Sequence, residues 1–113
     1  MTVSPINMDE LNEIMNSDQE LIKECFDDFL TDYPDIIIEI RTAIDTENFE
    51  DLDNSAHKLK GIFKYLAADQ AAQAALELEK AGRNQDPDNL LKKLSVLDTQ
   101  CKEVAEYIQT IST

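Results

Sequence analysis

Apolar side chains recur every three or four positions along nearly the whole chain, the spacing of a buried stripe on an α-helix. No stretch alternates long enough to read as a strand. The run Ile36-Ile37-Ile38 is β-like in composition, but its flanks keep the helical period. Asn7 and Glu10 predict a first short helix carrying Leu11, Ile14 and Met15. Ser17 and Glu20 form a capping-box pattern for a second, with Leu21, Ile22, Cys25, Phe26, Phe29, Leu30 and Tyr33 on one face. Pro34 falls inside it and predicts a kink, with the helix running on through Ile37, Ile40 and Ile44; a break is the alternative.

Asn48 predicts the cap of a third helix, in which Leu52, Ala56, Leu59, Phe63 and Leu66 keep a 4-3-4-3 spacing. The chain turns at Ala67–Asp69. Asp69 is expected to cap a fourth helix carrying Ala72, Ala75, Leu76 and Leu78, with Gly82 as its stop signal. Asp86-Pro87 reads as N-cap and first-turn proline of a last helix carrying Leu90, Leu91, Leu94, Leu97, Cys101, Val104, Ala105 and Ile108. Residues Thr110 to Thr113 are expected to fray. The fold class that follows is all-α. Short connections favour an antiparallel up-down-up-down four-helix bundle with a short additional N-terminal helix, formed by residues 1–113 as one domain.

Composition narrows the possible partners. Ten Lys and Arg against 24 Asp and Glu leave a net charge of −14. Such a chain repels nucleic-acid phosphates and anionic lipid, so neither nucleic acid nor membrane is expected. No apolar run approaches the ~18–20 residues that span a bilayer, and residues 1–20 lack the basic start and apolar block of a leader. Cys25 and Cys101 are far apart, outside any CxxC spacing, and read as small buried hydrophobes in a reducing, cytoplasmic setting. No metal-ligand cluster and no glycine-rich nucleotide loop is present in the sequence. An independent enzyme is therefore not expected.

The chain has one histidine, His57, in the middle of the third helix. At about 100° per residue, it shares a face with Lys60, Gly61 and Lys64, while Leu59 and Phe63 point to the core. His57 is thus expected at the surface. Lys58, Lys60 and Lys64 are three of the ten basic residues and surround it. Gly61 costs about 1 kcal/mol relative to Ala in a helix interior. It serves either close helix packing or clearance for another protein's approach to the imidazole. A neutral imidazole nitrogen is a nucleophile towards phosphorus, and nearby cations stabilise a phosphoryl group in transfer. On the residues alone, a phosphoryl acceptor and an ordinary surface histidine both remain open.

The stretch Ala56-His57-Lys58-Leu59-Lys60-Gly61 resembles the His-x-Leu-Lys-Gly signature of histidine-containing phosphotransfer (HPt) domains. The similarity extends from Asp18 through the fourth helix. It takes in Phe26-x-x-Phe29-Leu30 and Pro34 upstream and Leu78-Glu79-x-x-Gly82 downstream. The sequence departs from the pattern at Ile62, Phe63 and Lys64, where the family usually has small residues, and at Ala67, where glycine is common.

The resemblance implies that His57 accepts the phosphoryl group, that Lys60 stabilises its oxygens and that Gly61 leaves room for the partner. It places Glu79 where many members carry Gln or another polar residue near the histidine; the alternative is an ordinary exposed helix residue. Lys58, Lys64, Glu79, Met8 and Leu11 are the candidate docking residues, with a lid on the core as the alternative for Met8 and Leu11. The implied partners are response-regulator receiver domains and a hybrid sensor histidine kinase. No cofactor is implied for this chain, since Mg²⁺ is expected only in the receiver. The implied function is a monomeric phosphorelay carrier without kinase activity of its own; the alternative is a transfer-inactive adaptor of the same fold.

Overall fold

In a computed structural model, which describes residues 4–111, the chain forms five helices and, among the described residues, no strand. They are α1 (Met8–Ile14), α2 (Gln19–Asp45), α3 (Phe49–Tyr65), α4 (Asp69–Arg83) and α5 (Leu90–Ile111). The four longer helices close a cycle: α2 packs on α3, α3 on α4, α4 on α5 and α5 back on α2, with α3 against α4 the most extensive pairing. The helix α1 adds Leu11 to the core and its C-cap adds Met15, and the Asn7 N–H just before it donates to the Ala67 carbonyl at 2.9 Å.

The hydrophobic stripes account for the packing. Leu52, Ala56, Leu59, Phe63 and Leu66 of the α3 stripe are all buried. From α2, Ile22, Phe26, Phe29, Ile36 and Ile40 join them, and Phe29 packs its ring against Phe63 at 5.5 Å between centroids. Phe63 is therefore core, and Ile62 is half-buried beside it. Three stripe residues do not follow the pattern: Ile14, Leu21 and Leu91 are exposed at the edges of their apolar faces. Of the two free cysteines, Cys101 is buried, and its thiol is pushed up to about 12 by burial and the nearby Asp98 carboxylate. Cys25 is only half-buried.

The helix ends differ from the sequence expectation in instructive ways. Asn7 and Asn48 cap α1 and α3 as expected, accepting from the Glu10 and Asp51 N–H groups. At α2 the cap is Asp18, which accepts from Leu21, because Ser17 takes a left-handed conformation with φ 56°. Asp69 is the first residue of α4, and the N-cap is Ala68, with no side-chain cap. The last helix starts at Leu90, since Asp86 closes a local turn by accepting from the Asp88 N–H. Pro34 leaves α2 an uninterrupted helix of 27 residues, so no break occurs there. Thr110 and Ile111 remain helical; Ser112 and Thr113 lie outside the described residues.

Four junctions share one closure. After α1, α2, α3 and α4, a left-handed residue (Asn16, Glu47, Ala67 and Gln85) donates its N–H to the carbonyl of the helix's second-last residue. The next N–H then donates to the carbonyl one residue earlier: Ser17 to Asn12 at 2.8 Å, and Asn48 to Ala43, Ala68 to Phe63 and Asp86 to Ala81, each at 2.9 Å. This double closure satisfies carbonyls that a helix end leaves open.

Gly82 is thus not the stop of α4. It is where α4 meets the first turn of α3: a Cβ there would lie 2.5 Å from the Asp53 nitrogen and 2.8 Å from the Phe49 carbonyl oxygen. At Gly61 a Cβ would meet nothing within 4 Å. The two glycines should therefore respond oppositely to alanine. Gly82→Ala is expected to destabilise the fold by about 2 kcal/mol, because backbone must shift. Gly61→Ala is expected to stabilise it by up to about 1 kcal/mol. Urea unfolding of the two variants beside the parent checks both signs.

Candidate functional site

The site is built on the pairing of α3 with α4. His57 and Lys60, one turn apart on α3, both face Glu79 of α4. The imidazole is 67% exposed, whereas the Glu79 side chain is 2% exposed. Its carboxylate is the hub of the site. Oε2 stands 3.1 Å from His57 Nδ1 and 2.8 Å from Lys60 Nζ; Oε1 accepts from Lys60 at 3.0 Å and from Arg83 Nη2 at 2.8 Å. Arg83, one turn further along α4, also approaches Asp53 on α3 at 3.6 Å.

This geometry assigns the imidazole tautomer. An ionised carboxylate only accepts, so Nδ1 must carry the proton it shares with Glu79. In the neutral ring the lone pair is then on Nε2. The carboxylate is ionised because its partners keep it so. Burial pushes its pKa up, but the hydrogen bonds from Lys60 and His57 and their charges outweigh this, and it lies below the ordinary 4.5.

The structure brings together some of the expected residues and separates others. His57 is exposed, and Gly61 leaves open space one turn beyond it. Lys60 is beside the histidine, but its side chain is only 15% exposed and its ammonium is turned to Glu79 rather than outward. Lys58 pairs with Glu39 of α2 at 3.6 Å. Lys64 is exposed and has no ion pair among the described residues. The basic patch expected from the sequence is therefore largely neutralised.

Two expected docking residues require correction. Leu11 is fully buried and belongs to the core, because α1 turns its apolar face inward. Glu79 is neither an exposed helix residue nor a docking residue, because α4 faces α3 at this point and two cations, Lys60 and Arg83, together with the His57 ring draw the carboxylate in. Met8 is half-buried and lines a groove with Ile22, Phe26 and Ile111. A different groove, between α2 and α3, adjoins the histidine face and is lined by Cys25, Asp28, Phe29, Lys58, Gly61 and Tyr65. Arg83 was not singled out from the sequence, although its i,i+4 spacing from Glu79 is the legible signal for their pairing.

Fold and site together define an all-helical bundle presenting one carboxylate-oriented imidazole from mid-helix. The chain belongs to the Hpt domain family, whose model matches residues 24–111. Its structure is similar to the crystal structure of histidine-containing phosphotransfer protein B from Pseudomonas aeruginosa PAO1. The TM-score is 0.82 at 17% sequence identity, over 96% of this chain and 95% of that one. No curated protein matches the chain in sequence. Among the described residues no helix is long and apolar enough to cross a membrane, and no group of His, Cys, Asp and Glu is arranged to hold a metal ion.

Glu79 should show its worth in stability as well as in geometry. Its pKa is lowered in the folded chain, so its contribution is full above the ordinary carboxylate range and is lost as pH falls through the lower folded value. Glu79→Ala strands Lys60 and is expected to cost about 2 kcal/mol at pH 7. That difference from the parent should shrink below about pH 4, as measured by urea unfolding across pH.

Proposed function

We propose that the chain is a phosphorelay carrier of two-component signalling, taking a phosphoryl group on His57 from a receiver-domain aspartate and passing it to another. The observation that carries this reading is the disposition of His57. The chain's one histidine lies in the Hpt signature, exposed at mid-helix, and its Nδ1 is bonded to Glu79, which leaves the Nε2 lone pair free. The antiparallel up-down-up-down order of α2 to α5 belongs to the same reading, as does a cytoplasmic location.

The reaction follows from that geometry. A receiver brings an aspartyl phosphate, with Mg²⁺ held in the receiver's own site. His57 Nε2 attacks phosphorus in line. The Nε2–P bond forms as the bond from phosphorus to the aspartate oxygen breaks, and the carboxylate leaves with the electron pair. Passing the group to a second aspartate reverses the same step. Gly61 supports this reading because nothing stands in the path of a docking loop one turn beyond His57. The α2–α3 groove, lined by buried Phe29, half-buried Cys25 and exposed Tyr65, is the face offered to receivers. Lys64, exposed on the same helix and without an ion pair among the described residues, is suited to an acidic partner surface. The chain acts as a carrier rather than as an enzyme.

His57→Gln is expected to abolish phosphorylation by any receiver while changing stability by no more than about 0.5 kcal/mol, as befits an exposed side chain. Lys60→Ala is expected to slow transfer at least about tenfold, through loss of the charge that steadies the site. Incubation with phosphorylated receivers, followed by phosphohistidine detection, tests both. If none of the receivers labels His57 although they bind the chain, it is an adaptor and not a carrier.

A further inference from the structure

A carboxylate, rather than a neutral group, holds the proton of His57 Nδ1, and this bears on the phosphorylated state as well as on the free one. We propose that Glu79 is a positioning residue that keeps Nδ1 protonated after phosphorylation, so that this chain carries its phosphoryl group as an Nε2-phosphoimidazolium, a form of high transfer potential and short life. The proposal rests on the carrier reading of His57 and adds to it the chemical state of the loaded carrier.

The chemistry turns on the leaving group. When Nε2 attacks phosphorus, the ring becomes cationic unless Nδ1 gives up its proton. When the group moves on, the Nε2–P bond breaks and its electron pair returns to Nε2. With Nδ1 protonated, the departing ring is neutral imidazole. With Nδ1 deprotonated, it is imidazolate, a far poorer leaving group. Whatever holds that proton therefore sets how readily the phosphoryl group leaves, whether to an aspartate or to water.

Glu79 is placed to hold it. The Oε2–Nδ1 separation is 3.1 Å, on the side of the ring away from Nε2, so the carboxylate faces the proton and not the phosphoryl oxygens. The carboxylate itself is only 2% exposed, so it meets the ring from the protein side, while the imidazole keeps its other edge in solvent. Charged groups from α2, α3 and α4 surround the pair. From α3, Lys60 bonds to both carboxylate oxygens, and from α4, Arg83 bonds to one of them. Asp53 of α3 lies against Arg83. On the α2 side, Lys58 is paired with Glu39. Lys60 and Arg83 keep the carboxylate ionised and fixed, so that its charge is available to the ring at any pH near neutrality.

The test loads the chain chemically with phosphoramidate, so no receiver takes part, and follows phosphohistidine lifetime by ³¹P NMR from about pH 6 to 9. The parent is expected to show a lifetime that hardly changes over that range. In Glu79→Gln the charge is gone, and the lifetime is expected to lengthen towards alkaline pH. The difference at the alkaline end should be on the order of tenfold, the size of effect that removing an opposite charge at this distance has on a protonation equilibrium. Should the variant fail to fold, ¹⁵N NMR of His57 in the unphosphorylated parent decides instead. A neutral ring protonated on Nδ1 supports the proposal, and one protonated on Nε2 overturns it. A parent lifetime that lengthens with pH as steeply as the variant's overturns it, and so does failure of phosphoramidate to label His57. Failure of receivers alone to label a histidine that phosphoramidate does label counts against the carrier reading only.

Discussion

An ionised carboxylate taken almost wholly out of water needs cations and hydrogen-bond donors close by, because the lost hydration must be replaced. Glu79 finds them on two helices. Lys60 and His57 come from α3, and Arg83 comes from the next turn of its own helix. The arrangement ties α3 to α4 in a fixed register. That register determines what the imidazole does, since the nitrogen facing inward is committed to Glu79 and the other is left to solvent. The ring is at once exposed and oriented, a combination that a surface histidine on an isolated helix does not have.

The register depends in turn on how closely α3 and α4 approach. Gly82 lets the α4 backbone come against the first turn of α3, where no side chain would fit. Arg83, next to it, reaches both Glu79 and Asp53 and spans the same seam. The Ala-rich face of α4, with Ala71, Ala72, Ala74, Ala75 and Ala81 buried, keeps the helices near each other along its length. Close approach and buried charge are therefore coupled. Without the small residues the carboxylate would be wet, and a wet carboxylate would orient the ring weakly.

The helix junctions show a second constraint. Each of the three between α2 and α5 closes through a left-handed residue that is not glycine: Glu47, Ala67 and Gln85. A left-handed residue with a Cβ costs on the order of 1 kcal/mol, and the carbonyls it satisfies offset that cost. The caps moved with these turns. Once Gln85 closes α4 and Asp86 turns back on Asp88, Asp86-Pro87 is no longer available to start a helix. A local motif was outweighed by the closure beside it.

The fold class, the number of helices, the α3 stripe and the exposure of His57 were legible in the sequence, because helical period alone decides which residues share a face. The signature around His57 was legible as well, since its residues are consecutive on one helix. Periodicity within α4 left the side of Glu79 open, as burial there depends on which helix packs against it. Leu11 likewise has the same pattern whether it covers a core or faces a partner. The sequence left Gly61 open between close packing and clearance and read Gly82 as a stop for the same reason: clearance and close approach are properties of a neighbouring backbone, not of the residue. The sequence by itself determined that this protein is a helical bundle presenting a single histidine. Only the tertiary structure decided that a buried carboxylate on the next helix holds one of the imidazole's nitrogens, because 22 residues of chain separate His57 from Glu79 and only packing brings them within 3.1 Å.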